Sequence, residues 1–178
     1  MLLSIYKQVK TEYHIFDSER SEMISMNHPV HILVIDAQGG GLGKQLVAAV
    51  RQAVPGASVT AVGTNSAATS AMLKAGADRA ATGENAVVVA CRRADVIMGP
   101  VGIAIADSLL GEITPAMALA VGQSNAARIL VPSDRCGNLI AGVTDRSMGE
   151  LVRHAVQLLQ DLLGQSVCTR HRVFPLLK

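Results

Sequence analysis

Tryptophan is absent from this sequence, and its 178 residues include only two Tyr and two Phe. Base stacking on a single-stranded nucleic acid therefore has almost no platform. The core has to be built from Ala, Val, Leu, Ile and Met. Charge is also scarce. Charged residues make up 17% of the chain and the formal net charge is +2, too little for a phosphate-tracking surface. Cysteine occurs three times, as Cys91, Cys136 and Cys168, with no C-x-x-C spacing. An odd, scattered set argues against a disulfide framework and a zinc site, and free thiols suit a reducing cytoplasm. No apolar run reaches about 18 residues without a charge, Gly or Pro, so no transmembrane helix is expected. The stretch from Met1 to Met26 carries Lys7, Lys10, Glu12, Asp17, Glu19, Arg20 and Glu22 and lacks a signal-peptide apolar region.

What is abundant is apolar residues, at 49%, and glycine, at 16 residues. Composition of that kind excludes disorder throughout and supports a single buried core. Three regions are expected. Residues 1–27 form an N-terminal extension with both Tyr and neither Gly nor Ala. Its readings are a translation start that truly lies at Met26, a loose arm, or a docking arm. Residues 28–164 form the domain, and 165–178 form a basic tail with Arg170, His171, Arg172 and Lys178.

Within the domain, strands alternate with helices. The run from Val30 to Ile35 is apolar almost throughout, as expected of a central strand buried on both faces. Further strands are predicted over Ser58–Val62, Asp78–Ala81, Asp95–Met98 and Arg128–Val131, with a sixth over Asn138–Val143. Helices are predicted over Leu42–Val54, Ser66–Ala75, Ala86–Arg93 and Ile103–Leu110. Another starts at Thr114-Pro115, an N-cap followed by proline at the first helical position, and runs to Val121. The last helix opens at the capping box of Ser147 and Glu150 and closes at Gly164. Such alternation predicts a single Rossmann-like α/β domain of three layers, its sheet mostly parallel with five to six strands.

Right-handed crossovers would bring every strand's C-terminal end to one rim. That rim collects Asp36 to Gly43, Gly63 to Ser66, Thr82 to Asn85, Gly99 to Gly102 and Pro132 to Gly137. Open α/β sheets bind ligands at this edge. Candidate cofactor-binding residues are accordingly Asp36, Gln38, Gly39, Gly40, Gly41, Leu42, Gly43, Lys44, Gly63, Thr64, Asn65, Ser66, Thr82, Gly83, Glu84, Asn85, Gly99 and Pro100. Glycines in a strand-to-helix turn permit positive φ and let a ligand approach bare backbone, and the helix start attracts phosphate. Lys44 reads equally as a phosphate partner or a solvated side chain.

Two nucleotide templates fit in part. G-x-G-x-x-G uses Gly39 and Gly41, but its last position falls on Lys44. The acidic residue expected about 20 positions later is replaced by neutral Thr64, Asn65 and Ser66. The G-x-x-x-x-G-K-[ST] template aligns Gly43-Lys44 but has Gln38 for its first Gly and Gln45 for its metal-binding hydroxyl. NTP hydrolysis is thus less favoured than nucleotide binding. Asp36 is read first as a brace accepting hydrogen bonds from the loop amides, and second as a ligand of metal or ribose. Glu84 and Asn85 read as helix-capping groups before catalytic ones. Glu112 reads as a turn residue. Cys136, beside Arg135, reads as a plain loop thiol before an activated one. His14, His28, His31, His154 and His171 fall outside the rim loops, and no metal set is expected.

The segments VIDAQGGGLGKQ, GTNSAATSAMLKAGAD, ATGENAVVV, ADVIMGPVGI, LLGEITPAMA and ILVPSDRCG carry a wider likeness. Over Val30 to Leu163 the chain resembles an uncharacterised family of short bacterial proteins, a domain of unknown function. That resemblance implies a Rossmann-like domain and brings no substrate or catalytic residue. The functional expectation is a protein binding a small-molecule nucleotide cofactor, NAD or NADP, or an adenine nucleotide, through the loop after the first strand. Whether the chain is an enzyme stays open; if it is one, NAD(P)-dependent hydride transfer is the default reaction, with a homo-oligomer able to supply a substrate portion. The alternatives are a non-catalytic nucleotide-binding sensor or accessory protein and a small phosphate-ester transferase or hydrolase. Neither nucleic acid nor membrane is an expected partner.

Overall fold

A computed structural model describes residues 29–132, 140 and 146–165. The chain opens with β1 (His31–Asp36), buried from Ile32 onward. It continues through α1 (Gly41–Ala53), β2 (Ser58–Gly63), α2 (Ser66–Lys74), β3 (Arg79–Thr82) and α3 (Glu84–Cys91). Then come β4 (Val96–Pro100), a single 3-10 turn (Val101–Ala104), α4 (Pro115–Gln123), β5 (Ala127–Val131) and α5 (Met148–Gln165). Among the described residues all strand pairs are parallel, in the order β3-β2-β1-β4-β5. This is a Rossmann-like α/β sheet.

The order follows from the amino acids. β1 is apolar on both faces, so it needs cover above and below and takes the centre of the sheet. β3, RAAT, is short and mostly exposed, and it forms an edge. Successive β1 side chains point to opposite faces. Leu33 and Ile35 join Val62 and Ile97 in a cluster with Val87 and Cys91 of α3 and Met117 and Val121 of α4. On α1, Leu46, Val47 and Val50 are fully buried at helical spacing, as is Met72 on α2. Each such side chain contributes roughly 1.5–3 kcal/mol as an upper estimate. Within α5, Val152, Ala155, Val156 and Leu159 form the buried stripe.

Polar locks secure the sheet's other edge, where strands begin. The Arg51 guanidinium donates to the carbonyls of Gly76 (2.6 Å) and Ala57 (3.0 Å) and pairs with Asp78. Asp78 in turn accepts from the Val59 amide at 2.7 Å. Asp95 accepts from the His31 amide at 2.8 Å.

Two expectations change. The apolar run Ile103–Leu110 does not form a helix; after the 3-10 turn it becomes a chain of turns in which Asp107, Leu109 and Leu110 have positive φ. Ile103, Leu109 and Ile113 are all buried in the α3–α4 core. The Ser108 hydroxyl donates to the Gly102 carbonyl at 2.6 Å, and the Asp107 amide to the Ile113 carbonyl at 2.8 Å. Core burial from irregular positions therefore overrides helical periodicity here. The last helix does not stop at Gly164 but runs to Gln165. The expected sixth strand, except for Ile140, and Cys136 lie outside the described residues.

Candidate functional site

The chain moves outward from β1 to β2 and β3, then returns to place β4 on the other side of β1. A crevice at the strands' C-terminal ends opens where that direction reverses. The loop from Ala37 to Gly40 lies there, between the last residue of β1 and the first turn of α1.

Asp36 organises the loop. Its carboxylate is buried, with 5% exposure. Oδ1 accepts from the Ala37 amide at 2.8 Å and Oδ2 from the Gly43 amide at 2.6 Å. Burial pushes its carboxyl above the ordinary 3.8; the amides of Gly43, Ala37 and Leu42 pull the other way, and nearby Glu112 adds to the rise. Gly43 has to be glycine, since a Cβ would lie 2.5 Å from Met72 Sδ and 2.7 Å from Asp36 Cβ. Gly40 has φ +67° and a Cβ there would meet the Ala68 backbone at 2.8 Å. These two glycines serve turn geometry and packing.

Gly39 and Gly41 differ. Both are exposed, and a Cβ on either would meet nothing within 4 Å. The other loop amides are engaged: Gly40 donates to the Ala37 carbonyl at 3.1 Å, and Gln38 to Glu112 Oε2 at 2.9 Å. Among the described residues, the amides of Gly39 and Gly41 form no hydrogen bond. They border a pocket of about 290 Å³ lined by Asp36, Ala37, Gln38, Gly39, Gly41, Leu42, Gln45, Pro100, Leu109 and Met148. A larger cavity of about 540 Å³ lies between α3 and α4, beside Val88, Arg92, Leu119 and Gln123, and includes none of the loop residues.

Glu112 is the residue sequence reasoning passed over. It arrives from the β4–α4 connection, and its Oε2 accepts three donors: the Gln38 amide at 2.9 Å, Asn65 Nδ2 at 3.0 Å and the Thr64 hydroxyl. Partial burial raises its carboxyl, but the Thr64, Gln38 and Asn65 donors outweigh that and hold it below the ordinary 4.5. Its partners lie 48 and 74 positions away for Thr64 and Gln38, so no local pattern exposes it.

The other sequence candidates divide by place. Asn65 caps α2, accepting from the Ala68 amide at 3.0 Å, and donates to the Gln38 carbonyl at 2.8 Å. Gly63 and Gly99 are packing positions, where a Cβ would collide with Thr69 and with the Ile35 carbonyl. Lys44 is exposed and outside the pocket lining, as is Ser66. Thr82 pairs its hydroxyl with Thr69 at 2.7 Å, and Gly83, Glu84 and Asn85 follow β3 as the cap and first residues of α3. Glu84 accepts from the Thr114 hydroxyl at 2.6 Å. Pro100 lines the pocket. Among the described residues, no group of three His, Cys, Asp or Glu side chains is placed to hold a metal, and no helix is long and apolar enough to cross a membrane.

The family described as a domain of unknown function (DUF3842) matches residues 31–164. The chain belongs to that family. The match spans β1 through nearly all of α5 and so includes the loop, its Asp36 brace and Glu112. No match is found among curated proteins. Among solved structures, the chain is similar to the quinone oxidoreductase from Thermus thermophilus, described with its NADPH complex. Identity is 19%, the TM-score is 0.35, and the likeness covers 84% of this chain. The chain spans about half, 51%, of that protein's length.

Proposed function

We propose that the protein binds a nucleotide cofactor of the NAD(P) type, with its phosphates on the Gly39 and Gly41 amides. The observation that carries this reading is the division of the loop's donors. Asp36, Glu112 and the Ala37 carbonyl take the amides of Ala37, Gly43, Gln38 and Gly40, while Gly39 and Gly41 face open space at the start of a 13-residue helix. Amides at such a helix start, reinforced by its dipole, suit a phosphate. A volume of about 290 Å³ lies at the low end for a ligand pocket. It suits part of a dinucleotide, with the remainder lying along the rim or against a second copy of the chain in a homo-oligomer.

Binding without turnover has support of its own. Among the described residues, Asp36 is the one ionisable group in the pocket lining, and both its oxygens are already engaged by loop amides. That arrangement favours a cytoplasmic nucleotide sensor or accessory protein over a hydride-transfer enzyme. A phosphate-ester enzyme holding Mg²⁺ on Asp36 has less support, because the cation would have to displace those amides.

The test is a thermal-shift panel on the full chain with NAD⁺, NADH, NADP⁺, NADPH, ATP, ADP and phosphate, each with and without Mg²⁺. A ligand at 100 times its Kd stabilises by about 2.7 kcal/mol. The reading expects a shift with a dinucleotide that Gly41→Asp abolishes while the unliganded melting temperature stays unchanged. No shift with any nucleotide overturns the reading.

A further inference from the structure

Resting on the nucleotide reading, we infer that Glu112 supplies the carboxylate that reads the ribose hydroxyls of the bound nucleotide and rejects a 2′-phosphate. In dinucleotide-binding α/β folds the end of the second strand carries an acidic residue for that purpose. Here β2 ends at Gly63, and Thr64, Asn65 and Ser66 follow with no charge. The structure puts a carboxylate at that place from another part of the chain. Glu112 hydrogen-bonds Thr64 and Asn65, the two residues directly after β2, and the Gln38 amide of the glycine loop.

The atoms divide in a way that a purely structural anchor would not need. All three donors converge on Oε2. Oε1 takes no hydrogen bond among the described residues, and Glu112 is only partly buried. One oxygen thus fixes the carboxylate while the other stays available to accept from a hydroxyl. The segment that delivers it is held in an unusual backbone form: Asp107, Leu109 and Leu110 have φ between 55° and 61°, followed by Gly111 at 80°. Non-glycine residues adopt that conformation at an energetic cost. Burial of Leu109 and Ile113 on either side of Glu112 offsets it. An anionic Glu112 facing a 2′-phosphate would be a like-charge pair, and among the described residues no Lys or Arg pairs with Glu112 to relieve it.

The experiment is calorimetric titration of NAD⁺ and NADP⁺ into the full chain, wild type and Glu112→Gln, with circular dichroism melts to check folding. Wild type is expected to bind NAD⁺ at least roughly tenfold tighter than NADP⁺, the scale of one charge-assisted hydrogen bond. In Glu112→Gln the two affinities should converge. A preference that survives the substitution overturns this inference and leaves the nucleotide reading standing. Should the variant unfold, the wild-type ratio decides, and equal affinities overturn the inference. Binding of neither dinucleotide overturns the reading beneath it.

Discussion

Gly43→Ala tests the physical division between the glycines. The added methyl group would sit 2.5 Å from Met72 Sδ, 2.7 Å from Asp36 Cβ and 2.9 Å from Asp36 Oδ2. Met72 is a flexible side chain and can give way, although it is fully buried. Asp36 Cβ cannot, because it belongs to the last residue of the central strand. Overpacking of this kind costs about 1–3 kcal/mol. Pushing α1 away from β1 also stretches the 2.6 Å bond from the Gly43 amide to Asp36, and hydrogen bonds to charged groups contribute about 1.5–3 kcal/mol. The Gly-to-Ala gain in a helix returns up to about 1 kcal/mol. A net loss of about 2–3 kcal/mol is expected, a fall in Tm of several degrees for a domain of this size. Gly41→Ala is the matched control: its Cβ meets nothing within 4 Å, so the helix gain stands alone and stability holds or rises slightly. Thermal denaturation followed by circular dichroism reads both. Equal stability of Gly43→Ala and wild type, or a destabilised Gly41→Ala, would refute the reasoning.

Asp36→Ala leaves the Ala37 and Gly43 amides unpaired at a buried position and should cost about 2–4 kcal/mol in a denaturant titration, with Asp36→Asn milder because one acceptor remains. The folded Glu112 value lies below the ordinary 4.5, so its contribution is present above that pH and is lost as pH falls through the folded value; the Gln38 amide proton resonance should move in that acid window and stay fixed in Glu112→Ala. Asp36 works in the opposite sense: its folded value lies above 3.8, so its ionisation opposes folding as pH rises through that value. Burial pushes the Cys91 thiol up to about 11, so iodoacetamide at neutral pH should leave Cys91 unmodified in the native chain and label it in denaturant, as read by peptide mass mapping.

Much of the fold was legible because its elements carry local patterns. The continuous apolar run of β1 marks a central strand, and α1 shows its buried face at Leu46, Val47 and Val50 by spacing alone. Thr114 with Pro115, and Ser147 with Glu150, mark helix starts through their own side chains: Thr114 accepts from the Met117 amide at 3.2 Å, and Glu150 accepts from the Ser147 amide at 2.8 Å. The segment from Ile103 to Leu110 departs from its local pattern. Its apolar residues suit a helix locally, yet the positive-φ turns they adopt are stabilised by burial of Ile103, Leu109 and Ile113. At the site, the glycine loop and Asp36 stood out, but which glycines face open space depends on what packs beside them. Met72 and Ala68, both on α2, decide that for Gly43 and Gly40. Glu112 was invisible for a third reason: a glutamate after a glycine looks like any turn, and its partners come from two other loops.

The central claim is that the amides of Gly39 and Gly41 receive a nucleotide's phosphates. Amide chemical-shift mapping of the ¹⁵N-labelled full chain, titrated with NAD⁺, tests it most directly. The Gly39 and Gly41 resonances are expected to move first and furthest, saturably, while those of Ala37 and Gly43 beneath the loop move little. Saturable shifts centred between α3 and α4 with the glycine loop unmoved, or no shifts at all, would contradict it.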